Sequence, residues 1–176
     1  MDHRHGAVAV QRRGLLPSPL AGALAGALAA VGLLVVTAAL RSVLGVRTLP
    51  ETLAEGALFY LPREFFTYMI TTFRGQAKVL LLYGVLGFVL LAGALVGLLY
   101  ARWPRPRVAV GLGFALWWFT MLVALPASGE GLFGVEFNEP LPVMASYAAG
   151  WAVFSLSLTL FYGAFARDRP TNRGSA

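Results

Sequence analysis

The side chains able to do chemistry in this sequence are few, and every Asp, Glu, Lys, Arg and His lies outside its apolar segments. Met1, Asp2 and His3 bring a terminal amine, two amides and an imidazole together, the donor set of a square-planar copper or nickel site, although three residues in a tail are more simply a coincidence. Glu130, Glu136 and Glu139 with Asn138 could attract a cation; the plainer expectation is a solvated acidic loop. Glu64, Arg74 and Lys78 share one connecting segment and offer groups for an enzyme working at the membrane surface. Ser146, Ser155, Ser157 and Thr159 offer hydroxyls that return hydrogen bonds to preceding carbonyls or reach an adjacent helix. Neither use requires a substrate.

The missing residue types narrow the field further. Without cysteine there is no disulfide, thiolate nucleophile, iron–sulfur cluster or cysteine-ligated zinc. His3 and His5 are the only histidines, so facing pairs of haem ligands inside a bundle are excluded. Proton-coupled transport uses intramembrane Asp, Glu or His, and the apolar segments contain none. A serine nucleophile would lack a histidine or lysine base. The expectation is a chain with no catalytic residue, metal or cofactor of its own.

The elements that hold these residues are set by composition. At 58% hydrophobic and 12% charged, the chain lies well below the roughly 25% charge of soluble domains, so water is not its main solvent. Four apolar runs, 20–40, 79–101, 108–125 and 141–166, fall within the roughly 17–25 residues that cross a hydrocarbon core or slightly beyond, the third being shortest. The expected fold is all-α: an integral membrane four-helix bundle with one or two short amphipathic helices in its first extracytoplasmic loop. The first run could instead be read as a signal peptide, but it is longer than an apolar signal core and continues into Arg41 without a clear cleavage pattern. Pro17 and Pro19 suit the first turn of a helix.

The net charge of +6 reflects topology rather than nucleic-acid binding. Arg4, Arg12 and Arg13, then Arg102, Arg105 and Arg107, then Arg167, Arg169 and Arg173 occupy alternate connections; with Asp2 and Asp168 these net +7. The other two connections hold five basic residues and six glutamates, net −1. The positive-inside rule places both termini in the cytoplasm of a plasma (inner) membrane protein. The organisation expected is a basic tail (1–14), a four-span membrane domain (15–166) and a second cytoplasmic tail (167–176).

The segment 41–78 is too long for a turn and too apolar for a solvated linker. Thr48, Pro50 and Glu51 predict the start of one short helix running to Tyr60, and Pro62 the start of another. In the second, Leu61, Phe65, Phe66, Met69, Ile70 and Phe73 follow helical spacing, opposite Arg63, Glu64, Thr67, Thr71 and Arg74, and Gly75 can end it. That apolar stripe is the candidate docking or interfacial surface, lying in the outer membrane interface or packing on the ends of the spans. Gly22 with Gly26 and Gly93 with Gly97 form G-x-x-x-G pairs, candidates for helix packing within the monomer or between copies. Tyr100, Trp103 and Tyr162 read as anchors in the aromatic belt.

The stretch LPETLAEGALFYLPREFFTYMITTFRGQAKVLLLYGVLGFVLLAGALVGLLYAR, residues 49–102, resembles the N-terminal multi-pass membrane region of membrane-anchored molybdopterin-dependent oxidoreductases of the sulfite oxidase family. What resembles is the order: a Pro-Glu-led apolar segment, a Phe-rich one, a basic residue, then a glycine-rich span ending in Leu-Tyr-Ala-Arg. Members of that family continue into a large extracytoplasmic domain where a cysteine holds molybdenum. That domain and its cysteine are not in this sequence, so no catalytic or cofactor residue carries over. The resemblance implies a non-catalytic membrane anchor or scaffold, with the lipid bilayer and an extracytoplasmic oxidoreductase subunit as partners. The residues alone leave open a small transporter, channel or lipid-binding protein.

Overall fold

A computed structural model describes residues 18–45, 47–60, 62–73, 76–134 and 140–166. Among them the chain is all helix and turn: α1 (Ser18–Leu44), α2 (Leu49–Tyr60), α3 (Arg63–Phe73), α4 (Ala77–Arg102), α5 (Pro106–Phe119), α6 (Leu125–Ala127) and α7 (Pro140–Phe165). Four helical paths are long and apolar enough to cross a membrane: Ser18–Leu44, Val79–Arg102, Pro106–Ala127 and Pro140–Phe165. Their leucines, valines and phenylalanines point outward in number, as in Val35, Leu91, Phe114 and Leu160, which suits a lipid solvent.

α1 is the centre of the bundle, packed against α4 on one side and α7 on the other, while α5 joins through α7 and barely touches α4. Lipid tails are as apolar as leucine, so helices in a bilayer gain little by hiding leucine from lipid and gain more by close van der Waals approach. α1 therefore buries mostly small residues, Ala21, Gly22, Ala25, Gly26, Ala29 and Ala30, with Leu33 and Thr37 following toward its end. The two glycine pairs meet within the monomer in antiparallel register, Gly22 across from Gly97 and Gly26 across from Gly93. A Cβ on Gly26 would lie 2.8 Å from the Cα of Gly97, and one on Gly93 would lie 2.7 Å from the carbonyl oxygen of Gly26. Backbone cannot yield as a side chain can. A third contact of this kind, not anticipated above, joins α5 to α7: a Cβ on Gly113 would press on Ser155 and lie 3.0 Å from the carbonyl oxygen of Trp151.

Three expectations change. The first span continues past Leu40 to Leu44, placing Arg41 in the last turn of α1, and ends at Gly45, whose φ of 67° suits glycine and whose N–H donates to Arg41 O at 2.8 Å. The third span reaches 22 residues because the path from α5 to α6 runs through a π-helical turn, Thr120–Ala124. There the Leu125 N–H reaches Thr120 O, five residues back. Pro126 supplies a reason, since its ring would press on the carbonyl of Leu122 in a regular α-helix and a wider turn relieves this. Finally, Tyr100 and Tyr162 are not belt anchors: they are 2% and 9% exposed and meet edge to face, ring centroids 5.3 Å apart. A tyrosine near the end of a span can fill space beside a small-residue helix as readily as it faces a headgroup. Trp103 stays exposed, as an anchor should.

Candidate docking surface at the loop end of the bundle

The two longer connections meet at one end of the bundle, opposite the short Trp103–Arg105 link, and each is shaped by a recognisable local rule. Thr48 precedes α2, and Glu51 reaches back so that the Thr48 N–H donates to Glu51 Oε2 at 3.1 Å, a capping box. The other oxygen of Glu51 pairs with Arg41, fastening the start of α2 to the end of α1. Across the bundle, α6 ends in a Schellman motif. Gly129, at φ 81°, donates to Pro126 O at 3.1 Å, and the Glu130 N–H donates to Leu125 O at 3.0 Å. The Ser128 hydroxyl closes the same end on Ala124 O and Leu125 O.

This motif turns Glu130 back into the protein. Its carboxylate, 7% exposed, accepts from the Thr52 hydroxyl at 3.4 Å and lies 3.6 Å from Arg47 Nη1. Thr52 also meets the Tyr147 hydroxyl of α7 at 3.2 Å, and Tyr147 donates to Arg47 O at 3.4 Å. Four separate segments are thus joined around one carboxylate. One turn further along α2, Gly56 lies against Ser128; a Cβ there would sit 3.1 Å from the serine Cβ. The expectation of a solvated acidic loop fails for Glu130. Its neighbours Glu136, Asn138 and Glu139 lie outside the described residues, as do Met1, Asp2, His3 and His5.

Below α2, Leu49 and Leu53 roof a cleft of about 160 Å³ between α4 and α5, lined by Phe88, Val89, Leu116 and Phe119 among others. Thr120 and Trp151 reach its wall, but their polar groups are engaged: Thr120 donates to Leu116 O at 2.9 Å and accepts from Trp151 Nε1 at 3.2 Å. Ser146, Ser155 and Thr159 likewise donate to carbonyls four residues back. Neither the cleft nor the groove on the other face of α5 is lined by an ionisable side chain.

α3 behaves differently. Arg63, Glu64, Phe65, Thr67, Tyr68, Thr71 and Thr72 are all exposed, Phe65 at 47% and Tyr68 at 59%; Phe73 is half-buried, and α3 touches only the neighbouring α4 appreciably. Leu61 lies outside the described residues, as do the side chains of Phe66, Met69 and Ile70. The acid and bases considered for an interfacial enzyme are not brought together: Glu64 is exposed, Arg74 lies outside the described residues, and Lys78 sits at the start of α4. Among the described residues no cluster of three His, Cys, Asp or Glu could hold a metal ion. No protein-family model, curated protein or solved structure matches this chain, and what its loop end does must be reasoned from its own contacts.

Proposed function

We propose that this chain is a non-catalytic multi-pass membrane anchor or scaffold that presents α3 to an extracytoplasmic partner. Its loop end faces outward and its termini lie in the cytoplasm, as the arginine distribution favours. The observation that supports this reading is the contrast at Pro62: α2 is fastened by Glu51, Thr52 and Gly56, while α3, immediately after it, leaves Phe65 and Tyr68 exposed. A rigid platform followed by a helix that the bundle does not cover is the arrangement an anchor needs. Following the resemblance of residues 49–102, the partner is an extracytoplasmic molybdopterin-dependent oxidoreductase subunit. A polar-solute transporter or channel gains no support from cavities that no ionisable side chain lines and whose hydroxyls are engaged with carbonyls.

The test is purification from membranes in mild detergent with identification of what accompanies the chain. An extracytoplasmic protein should co-purify with the intact chain and be lost when residues 61–73 are deleted. Purification as a lone species, indifferent to that deletion, would remove the anchor reading.

A further inference from the structure

The groove between α5 and α7, on the face away from the α4–α5 cleft, has a volume of about 720 Å³. Its floor is the close approach of Gly113 to Ser155, and Val110, Phe114, Leu156 and Leu160 are exposed along its walls. It runs along α5 from Pro106 to Trp117, which at the helical rise is roughly 17 Å. One leaflet of a hydrocarbon core about 30 Å thick is roughly 15 Å deep, so the groove extends from the membrane surface to the bilayer middle. The mouth at the surface is basic. Arg107 stands three residues before Val110 and seven before Phe114, on the same helical stripe as the groove, and Arg105 flanks Pro106 on its other side. Both arginines are exposed, and the segment from Arg102 to Arg107 contains no carboxylate. On α7, four residues beyond the groove-lining Thr159, a Cβ on Gly163 would meet nothing within 4 Å, which leaves room for a headgroup.

We infer that this groove is a binding site for one anionic phospholipid, an acyl chain lying between α5 and α7 and the phosphate meeting Arg105 and Arg107. Basic mouths between membrane helices recognise such headgroups. A second copy of the chain is a poorer occupant. Inserted in the same direction, it would set its own arginine end beside this one. The inference does not depend on the docking role of α3.

Trp117 and Trp151 line the groove and report on it, Trp151 bordering the α4–α5 cleft as well, so that the Ala152→Phe variant below isolates the share that comes from the groove. With Trp103→Phe and Trp118→Phe as background, the protein is reconstituted in phosphatidylcholine containing a minority of brominated phosphatidylglycerol, and in the mirror mixture with the bromines on phosphatidylcholine. The anionic lipid should quench several-fold more strongly at equal bromine content. Arg105→Gln with Arg107→Gln should reduce the preference by about fivefold or more, given the attraction each arginine near a charged membrane surface contributes. Ala152→Phe, which narrows the groove and keeps both arginines, should lower quenching by either lipid. Equal quenching by the two lipids in the parent protein, or a preference unchanged in the double arginine variant, would overturn the inference. So would efficient cross-linking of Val110→Cys between copies, since the groove would then hold protein. Co-purification of a partner through α3 is read separately and is unaffected by any of these outcomes.

Discussion

α2 and α3 follow one another with only 61 and 62 between them, each about three turns long, each with an acidic residue in its first turn, and they meet opposite fates. α2 has a threonine at its cap, a second threonine one turn on and a glycine one turn further, and these small residues let it close on Ser128, Glu130 and Tyr147. α3 has Pro62, Phe66 and Ile70 at the corresponding positions, and its Arg63, Glu64, Phe65, Thr67 and Tyr68 remain exposed. Apolar content does not separate the two. Leu49 and Leu53 seat α2 over the apolar cleft, and a small face with matched polar partners fastens it there.

This contrast can be broken most sharply at Glu130. Glu130→Ala takes the carboxylate acceptor from the Thr52 hydroxyl and breaks the ion pair with Arg47. Because Arg47 is about half exposed, the expected loss of stability is about 2 kcal/mol rather than the larger figure for a fully buried pair, and thermal unfolding in detergent measures it. Gly56→Leu should cost about 1–3 kcal/mol by forcing α2 away from Ser128, with faster proteolysis of segment 47–60 as a second readout. Thr52→Val should cost about 1 kcal/mol in the same assay, the worth of its hydrogen bonds. Phe65→Ala with Tyr68→Ala should change stability by no more than about 0.5 kcal/mol while abolishing partner recovery, since both side chains are exposed. A loss comparable to that of Glu130→Ala would mean that the bundle covers α3 after all.

Geometry gives a further check that needs no energy scale. The chain has no cysteine, so introduced pairs report alone. Gly56→Cys with Ser128→Cys should oxidise readily, because their Cβ atoms would need to separate only slightly from 3.1 Å to reach the range a disulfide accepts. Thr67→Cys with Ser128→Cys should not. Equal oxidation of both pairs would erase the distinction between the helices.

Much of the architecture is legible in the residues. The apolar runs locate all four long helices, Thr48, Pro50 and Glu51 announce α2, and the glycine pairs announce the α1–α4 seam, because each depends on neighbours within one or two turns. The burial of Glu130 depends on partners 78 positions away in Thr52 and across the fold in Tyr147, and no local pattern carries that information. Its signal was nonetheless half present. Pro126, Ser128 and Gly129 mark a helix end whose geometry directs the next residue back toward the bundle. The tyrosines were misplaced for a related reason. Depth in the membrane can be counted along a span, whereas the direction a ring faces is decided by the helix beside it.

The π-helical turn has a consequence for how the third span is phased. One residue of a helix advances its surface by about 100°, and a π turn inserts one extra residue into the path. Val110, Phe114 and Trp117 line the lipid-facing groove with α7, while the cleft toward α4 is lined by Leu116 and Phe119 before the turn and by Thr120 and Ala124 within it. One regular helix thus serves both surfaces, and the turn takes up its extra residue at the end where only the cleft is lined. A regular α-helix with one residue fewer would carry Leu125 onward in nearly the same phase, so deleting a single residue from 120–124 should leave Glu130 facing Thr52: the turn holds a spare residue on which the alignment of the loop end does not depend.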